Sequence, residues 1–355
     1  MSGEKVLMKG NEAMAEAALR AGCRFFFGYP ITPQTEVAAY MSKRMPKIGG
    51  TYLQAESEIA AINMVYGAAS AGARVMTSSS SPGVSLKGEG VSYMAGADLP
   101  GVICNVQRGG PGLGGIQPSQ SDYWQATRAM GHGDFQVLVF APSTVQEMAD
   151  LCYLAFEKAD EYRMPAMILS DGMLGQMMEP VVLPDAVESL PEKLWATTGH
   201  QGARKHNIID SLYLTAEELE RLNVERFERY EVVKAREQRA ERFMCDDAEV
   251  VLVAFGATAR IAHSAVVRAR AEGIKAGLIR PITLWPFPTD AIEQSIGTAR
   301  AFLSVEMNMG QMVDDVRLAV AGRAPVEFFG RTGGVIPTPD EVLARVRELA
   351  AKAGE

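Results

Sequence analysis

Thr32, Glu58 and Arg108 each lie a few residues beyond an apolar segment typical of a buried strand. The guanidinium of Arg108, which precedes a glycine-rich loop, is suited to hold a carboxylate through two parallel hydrogen bonds. Glu58 falls in the first turn of a predicted helix, where the helix dipole favours negative charge. Because ligands of open α/β sheets bind outside the carboxyl ends of the strands, we expect the three side chains to line one polar crevice.

Each of these side chains, and each further candidate, also has an ordinary structural explanation. Arg108 can be a surface residue before a turn, and Glu56 shares the helix-dipole explanation with Glu58. The run Ser78–Ser81 is either a loop of hydroxyl donors or a plain turn. His132, between two glycines, is a candidate acid or base or simply a loop histidine. The residues alone therefore leave the chemistry of the crevice open.

We do not expect a metal site on this chain. Asp171-Gly172 resembles part of a metal-binding Gly-Asp-Gly motif, but Ser170 replaces the first glycine and the next asparagine, Asn207, is too distant. The cysteines occur singly and fit buried thiols in a reducing cytoplasm. Without a Cys-x-x-Cys pair, neither an iron–sulfur cluster nor a structural zinc is expected. The four cysteines are Cys23, Cys104, Cys152 and Cys245.

The composition is that of an ordinary globular protein with room for two domains, since 47% of the 355 residues are hydrophobic and 22% are charged. A net charge of −8 argues against nucleic acid or an anionic membrane as a partner. No apolar run reaches the length of a membrane span, and Met1–Lys5 does not resemble a signal peptide. We therefore expect a cytoplasmic protein.

Strand and helix signals alternate through residues 1–185, and this pattern predicts a doubly wound parallel sheet with helices on both faces. We predict strands at Arg24–Gly28, Thr51–Gln54, Ala73–Thr77, Pro100–Val106, Gln136–Phe140 and Pro165–Ser170. We predict helices at Asn11–Ala21, Pro33–Arg44, Glu56–Ser70, Val84–Ala97 and Pro142–Ala159, and a further helix after Gln120. Asn11 is the expected cap of the first helix and Pro33 the expected first residue of the second.

The alternation stops over residues 186–246 and resumes over residues 247–355. In the first of these segments, a capping box at Thr215–Glu218 opens a charged helix to about Arg242, either a solvated linker or a grip on another subunit. The second segment predicts a smaller α/β domain. Its strands are expected at Ala248–Ala254, Ala276–Ile279, Ala301–Val305 and Val326–Phe329, and its helices at Gly256–Arg270, Gly310–Ala321 and Pro339–Ala351.

Three motifs extend the interpretation from fold to family. Gly28–Pro33 (GYPITP), Gln54–Glu58 (QAESE) and Gln107–Pro111 (QRGGP) together resemble the α subunit of 2-oxoacid:ferredoxin oxidoreductases, which are thiamin diphosphate enzymes. The resemblance runs through the whole chain, because Val251–Gly256 and the segments after it are similar to that family's transketolase C-terminal-like domain. It implies that residues 1–185 form the pyrimidine-binding domain.

The resemblance also assigns roles to the candidate residues. Glu58 matches the family's cofactor-activating glutamate, whose carboxyl group bonds N1′ of the aminopyrimidine and favours its imino tautomer. Burial against the ring should raise the pKa of such a carboxyl group above its ordinary value of about 4.3. Glu56 is the rival, but side chains two positions apart on a helix do not share a face. Thr32 matches the position near the keto group of the substrate, and Arg108 matches the position on its carboxylate. Further cofactor contacts are expected from Tyr29, Pro30, Ile31 and Ser80.

The features that the chain lacks imply partner subunits. A thiamin diphosphate site also needs Gly-Asp-Gly and a later Asn to hold the diphosphate through Mg²⁺, and we expect a β subunit to supply them. Iron–sulfur clusters would likewise lie on partner subunits. Electrons would pass through the β subunit or a small ferredoxin-like subunit to ferredoxin, in a complex that also includes a γ subunit, and coenzyme A would accept the acyl group.

Three other classes of protein are weighed against this assignment. A self-sufficient thiamin decarboxylase or transketolase is disfavoured by the missing metal motif. A nicotinamide dehydrogenase is disfavoured because no glycine-rich dinucleotide fingerprint follows a strand. A scaffold that keeps the fold without the chemistry is disfavoured by the presence of Thr32, Glu58 and Arg108.

The loop after Arg108 bears on the substrate. A dicarboxylic substrate needs a second cation, because an unpaired buried charge costs several kcal/mol, and the loop holds no Lys or Arg through Ser121. Leu113 and Ile116 resemble the branched-chain type, which acts on 2-oxoisovalerate. The alternatives are 2-oxoglutarate, for which Lys87 or Arg128 could supply the cation, and pyruvate.

Overall fold

The computed structural model describes residues 4–353, in which helices alternate with mostly parallel strands. The strands are β1 (Lys5–Lys9), β2 (Phe25–Gly28), β3 (Thr51–Gln54), β4 (Val75–Ser79), β5 (Gly101–Gln107), β6 (Leu138–Phe140), β7 (Pro165–Asp171), β8 (Met178–Val182), β9 (Ala240–Phe243), β10 (Val250–Val253), β11 (Ala276–Pro281), β12 (Thr283–Trp285), β13 (Ala301–Glu306) and β14 (Val326–Gly330). The α-helices are α1 (Gly10–Arg20), α2 (Thr35–Arg44), α3 (Glu58–Ser70), α4 (Ser81–Ser85), α5 (Gly88–Gly96), α6 (Val145–Tyr162), α7 (Gly172–Gln176), α8 (Ala216–Arg236), α9 (Gly256–Ala271), α10 (Thr289–Glu293), α11 (Met312–Val320) and α12 (Pro339–Ala353). None of the helices in this part of the chain is both long and apolar enough to cross a membrane.

The first sheet has seven strands in the order β12-β6-β7-β5-β4-β2-β3. All neighbouring strands in it are parallel except β12, which runs antiparallel to β6. Every residue of β4, β5 and β7 is buried, because helices cover both faces of the sheet. The predicted doubly wound parallel sheet is confirmed.

The second sheet has five strands in the order β14-β13-β10-β11-β9. Its strands are parallel apart from β9, which pairs antiparallel with β11. One face packs against α9 and α12 through a core of small aliphatic residues. This sheet is the smaller α/β unit that the C-terminal sequence predicts.

Several short strands and their pairings were not predicted. Strand β1 pairs with β8 in a separate two-stranded sheet, and β9 lies in the second sheet although its sequence falls in the predicted linker. Strand β12 comes from the predicted C-terminal domain but adds to the first sheet. These strands have three to five residues, too few to show a period, and long-range pairing stabilises them. The domain boundaries at 185 and 246 stay a prediction. The expectation about Met1–Lys5 lies largely outside the described residues.

The predicted helix starts need correction. Helix α1 begins at Gly10, and the Asn11 side chain is not a cap but donates to the Pro33 carbonyl oxygen at 2.9 Å. Helix α2 begins at Thr35, so Pro33 lies before it. Helix α3 begins at Glu58 with Ser57 as its cap, which leaves Glu56 outside the helix. The Asn11 side chain is used in a tertiary contact with Pro33, and the cap of α3 comes from Ser57, the residue next to Glu58.

Other helix predictions were wrong in extent. The predicted helix Val84–Ala97 is divided into α4 and α5, and the helix expected after Gln120 is a short π-helical turn over Gln125–Ala129. The charged helix α8 ends at Arg236 rather than near Arg242, and the side chain of Thr215 makes no cap hydrogen bond. Glycine-rich sequence explains the break between α4 and α5, because glycine weakens a helix interior.

Two buried polar side chains join the sheets. Gln120, on the loop after β5, donates to the Phe255 carbonyl oxygen at 2.7 Å and accepts the Met307 N–H at 3.0 Å. Asp171, at the end of β7, accepts the N–H groups of Met173 and Leu174 at the start of α7, and it also bonds the Ala257 N–H at the start of α9. Asp171 is therefore a helix cap shared between the two units.

Asp171 makes stability depend on pH. Burial raises the pKa of this carboxyl group from 3.8 to about 6, against the opposing effect of its backbone hydrogen bonds. Between these values the folded chain holds a proton that the unfolded chain has released, so stability falls as the pH rises from about 4 to about 6. We expect Asp171→Asn, which cannot titrate, to lack this component, worth up to about 1.4 kcal/mol per pH unit. Denaturant unfolding of both proteins across that range measures it, and parallel pH profiles would contradict the assignment.

Candidate active site

The predicted site residues meet at one edge of the first sheet. Strands β2, β3, β4 and β5 are mutually parallel, so their carboxyl ends share this edge. Thr32 follows β2, Glu58 follows β3 and Arg108 follows β5 directly. The Arg108 guanidinium donates to the Thr32 carbonyl oxygen at 3.0 Å. The structure thus brings together the loops that the sequence assigned to one crevice.

Glu58 is buried without a hydrogen-bond partner for its carboxylate. It is 6% exposed, and none of residues 4–353 donates a hydrogen bond to its side-chain oxygens. A Cβ added at Gly83 would lie 2.5 Å from Glu58 Oε1 and would overlap Ser79 Oγ, so the carboxylate rests against the first turn of α4. A buried carboxylate without a donor is costly, and this arrangement is typical of a group that meets a ligand.

The two neighbouring glutamates differ sharply. Glu56 precedes the helix, is exposed, and accepts a hydrogen bond from Ser57 Oγ at 3.2 Å. Glu58, the first residue of α3, turns its side chain into the interior because Ser57 caps the helix through the Ala60 N–H. Burial therefore distinguishes the two carboxylates, whereas the argument from helix faces does not apply, because Glu56 lies outside the helix.

Hydroxyl groups near Glu58 also lack partners. Ser79 and Ser80, at the end of β4, are fully buried, and neither hydroxyl oxygen has a hydrogen-bond partner within the described chain. Ser81 is different, because its hydroxyl donates to Asp122 Oδ2 at 2.5 Å and accepts the Arg108 N–H at 3.1 Å. The serine run is therefore not a plain turn, since two of its hydroxyls are free donors inside the protein.

Arg108 is held in place by backbone carbonyl groups. Its side chain is buried and donates to the carbonyl oxygens of Thr32 at 3.0 Å and Leu113 at 2.9 Å. The Nε atom is buried without a partner among the described residues. A guanidinium has five N–H donors, so the fixed fork keeps several of them for a ligand. Arg108 is not a surface residue before a turn.

A cavity of about 360 Å³ opens beside Arg108, between its loop and the second unit. Asp122 lines it, is 8% exposed, and accepts hydrogen bonds from Ser81 Oγ and Asn105 Nδ2. Burial raises the pKa of the Asp122 carboxyl group above its ordinary value, while these hydrogen bonds act in the opposite direction. The other lining residues include Ser85, Gln125, Asn308 and Gln311.

The remaining expected contacts lie at different depths of the crevice. Tyr29, Pro30 and Thr32 are exposed, and Ile31 is partly buried. Leu113 and Ile116, on the glycine-rich loop, are 80% and 59% exposed. These side chains therefore have open faces toward solvent at the mouth of the site.

Some candidates do not belong to the crevice, and others were missed. His132 is exposed and packs edge-on against Tyr93, away from the strand ends. Sequence reasoning considered Lys87 only as a cation for a distal carboxylate and did not predict that it is fully buried below Glu58, and it missed Asp122. No local pattern marks Lys87, because Leu-Lys-Gly reads like any exposed turn. All four cysteines are buried free thiols, as expected. Across residues 4–353, no group of three or more His, Cys, Asp or Glu side chains is arranged to hold a metal ion.

The doubly wound sheet and its site fit the class of thiamin diphosphate-binding domains. Residues 16–244 match the family model described as pyruvate flavodoxin/ferredoxin oxidoreductase, thiamine diphosphate-binding, and residues 248–342 match pyruvate:ferredoxin oxidoreductase core domain II. The chain belongs to the pyruvate flavodoxin/ferredoxin oxidoreductase family. The family resemblance inferred from the three motifs is confirmed.

Individual relatives match over nearly the whole chain. The ketoisovalerate oxidoreductase subunit VorB of Methanothermobacter thermautotrophicus is 49% identical over 98% of this chain and 99% of its own length. The 2-oxoglutarate synthase subunit KorA of Methanothermobacter marburgensis is 38% identical over 97% and 98%. The solved 2-oxoglutarate:ferredoxin oxidoreductase of Magnetococcus marinus superposes with a TM-score of 0.87 at 26% identity, over 98% of this chain and 66% of that chain.

Gly83 provides a test of the Glu58 pocket. Gly83→Ala places a methyl group where the Glu58 carboxylate and Ser79 hydroxyl now lie, and both can move because they are side-chain ends. We expect the variant to fold and assemble while turnover falls about a hundredfold, the usual loss for a displacement near 1 Å. The measurement is turnover and thermal unfolding of the purified complex.

The matched control is Gly297→Ala. Gly297 is exposed, and an added Cβ would meet nothing within 4 Å. This variant should keep wild-type turnover and a stability within about 0.5 kcal/mol. Wild-type turnover of Gly83→Ala would show that the carboxylate position in this pocket is unimportant.

Proposed function

We propose that this chain is the α subunit of a 2-oxoacid:ferredoxin oxidoreductase that converts the branched-chain substrate 2-oxoisovalerate to its acyl-CoA, with electrons passing to ferredoxin. The observation that carries this proposal is the buried, unpartnered Glu58 carboxylate on the same sheet edge as the Arg108 guanidinium. An acid–base group and a carboxylate-binding fork at one edge are the two parts that decarboxylation of a 2-oxoacid requires.

The residues around Glu58 fit the pyrimidine ring of thiamin diphosphate. The carboxylate lacks a donor, and the nearby hydroxyls of Ser79 and Ser80 lack partners. These are complementary to an aminopyrimidine, which offers both donors and acceptors. When bound, the cofactor supplies a nucleophilic carbon that adds to the 2-oxo group and accepts the electrons of decarboxylation. Glu58 holds the proton at N1′, and its burial strengthens that hydrogen bond.

Substrate would be held beside this ring. Arg108 binds the carboxylate of the 2-oxoacid through the N–H donors that the carbonyl groups of Thr32 and Leu113 leave free. The Thr32 hydroxyl lies at the exposed mouth of the crevice and orients the keto oxygen. Tyr29, Pro30 and Ile31 form the wall on which the cofactor rests.

A β subunit completes the site. It supplies the Gly-Asp-Gly and Asn groups for the diphosphate and Mg²⁺, and the iron–sulfur clusters lie on it, on a γ subunit or on a small ferredoxin-like subunit. Tyr29, Ile59 and Leu86 support this proposal, because they are 38%, 50% and 50% exposed around Glu58 and present apolar surface to a partner. Coenzyme A is the acyl acceptor of the complete complex.

The structure favours an aliphatic substrate over a dicarboxylic one. Lys87 is fully buried and bonds Thr77 and the Glu58 carbonyl group, so it cannot reach a distal carboxylate. Arg128 is paired with Asp315 at 2.5 Å. The loop instead presents Leu113 and Ile116, and the relatives named for ketoisovalerate show higher identity than those named for 2-oxoglutarate.

Glu58→Gln tests the function directly. An amide cannot exchange the N1′ proton, so we expect deuterium exchange at C2 of bound thiamin diphosphate to fall by two or more orders of magnitude, roughly the contribution of general acid–base catalysis. Glu56→Gln is the matched control and should exchange at the wild-type rate. If Glu56→Gln loses exchange and Glu58→Gln keeps it, Glu56 is the activating carboxylate and our assignment is wrong. If neither variant loses exchange, the scaffold alternative is supported.

The substrate is tested by comparing kcat/KM for 2-oxoisovalerate, 2-oxoglutarate and pyruvate on the complete complex, with ferredoxin as acceptor. We expect 2-oxoisovalerate to be preferred. Activity on pyruvate should overlap, because one methylene in an apolar pocket is worth only about 1–3 kcal/mol. A preference for 2-oxoglutarate would overturn the aliphatic pocket and require a cation from another subunit.

A further inference from the structure

Lys87 is a buried lysine with no carboxylate partner. It has no exposed surface, and its ammonium donates to Thr77 Oγ1 at 3.1 Å and to the Glu58 carbonyl oxygen at 3.5 Å. Within residues 4–353 it forms no ion pair closer than 4.0 Å. Both acceptors are neutral, so the positive charge is not cancelled by the groups that bind it.

Such a lysine is expensive for the fold. Burial lowers the pKa of Lys87 from 10.5 to about 8, and the negative charge of Glu58 partly opposes that decrease. Two other cations with buried side chains, Arg74 and Lys193, both pair with Asp160, at 2.7 and 2.5 Å. Lys87 shares the lack of a carboxylate partner with Arg108, and unpaired buried charges concentrate at functional sites.

The surroundings of Lys87 point to Glu58. Thr77 lies on β4 and Glu58 opens α3, so the ammonium links these two elements just below the crevice. Of the titratable groups in the described chain, Glu58 is the one whose charge acts appreciably on Lys87. The Glu58 carboxylate itself receives no hydrogen bond there. The ammonium therefore bonds the backbone of the residue whose carboxylate lacks a donor.

We infer that Lys87 is a positioning residue for Glu58: by donating to the Thr77 hydroxyl and to the Glu58 carbonyl oxygen, its ammonium ties the first turn of α3 to β4 and fixes the place of the Glu58 carboxylate beneath the cofactor ring. This inference rests on the proposed function. A displacement of about 1 Å at a catalytic group can cost about a hundredfold in rate, so the position of this first turn matters to the chemistry.

Lys87→Met and Lys87→Gln test the tether. Glutamine keeps a hydrogen-bond donor for Thr77, and methionine keeps only the apolar stem. We expect Lys87→Met to slow deuterium exchange at C2 of bound thiamin diphosphate by about tenfold or more, as for a displaced catalytic group, and Lys87→Gln to slow it less. Wild-type exchange by Lys87→Met would overturn the inference.

Thermal unfolding of the full chain gives a readout independent of the cofactor. Because the folded chain binds the Lys87 proton more weakly than the unfolded chain, Lys87 lowers stability below about pH 8, and this penalty disappears as the pH rises toward 10.5. Lys87→Met should therefore unfold at a higher temperature than wild type at pH 7, with a gap that narrows above pH 8. A lower unfolding temperature at pH 7 would show that Lys87 is only a structural residue.

Lys193→Met is the matched control. Lys193 is a largely buried lysine that pairs with Asp160, beside Arg74 at the amino end of β4 and so at the edge of the sheet opposite Glu58. This variant should unfold at a lower temperature and exchange the C2 proton at the wild-type rate. If Glu58→Gln keeps its exchange, the proposed function fails. If Glu58→Gln loses exchange while Lys87→Met keeps the wild-type rate, only the inference about Lys87 fails.

Discussion

The burial of the Glu58 carboxylate without a donor is the constraint on which the site depends. Ser57 starts α3 so that Glu58 points inward, and Gly83 leaves the space that its carboxylate fills. The free hydroxyls of Ser79 and Ser80 extend the same unsatisfied pocket. Burying these groups without hydrogen-bond partners lowers the stability of the fold, and a bound heterocycle that pairs with them would raise it again. The pocket is therefore understood as half of a binding site.

The second unit contributes by fixing the loop that begins at Arg108. Gln120 ties the end of this loop to Phe255 and Met307, and Asn308 donates to the Gln120 carbonyl oxygen at 2.8 Å. Arg108 is held at the other end of the loop by Thr32 and Leu113. The position of the guanidinium thus depends on both sheets. The second α/β unit is distant in sequence from Arg108 but helps to hold the loop that Arg108 begins.

Much of the fold follows from the sequence because buried parallel strands have long apolar runs, as in Gly101–Gln107. The meeting of Thr32, Glu58 and Arg108 was predictable because each follows a predicted strand of a parallel sheet, although β3 is a largely exposed edge strand and not a buried apolar run. Short strands such as Thr283–Trp285 were missed because three residues carry no period and tertiary pairing decides them. The burial of Lys87 was missed because a single lysine beside glycine gives no sign of it. The start of α3 was predicted two residues too early because Glu56 and Glu58 both suit a first helical turn.

The central claim is that this chain holds the pyrimidine half of a thiamin diphosphate site and that a partner holds the other half. Calorimetric titration of thiamin diphosphate with Mg²⁺ into the chain alone, the partner subunit alone and the reconstituted complex tests it most directly. The account predicts tight, stoichiometric binding to the complex and none of comparable strength to either subunit by itself. Tight binding to the isolated chain, or turnover of a 2-oxoacid by it, would contradict the account.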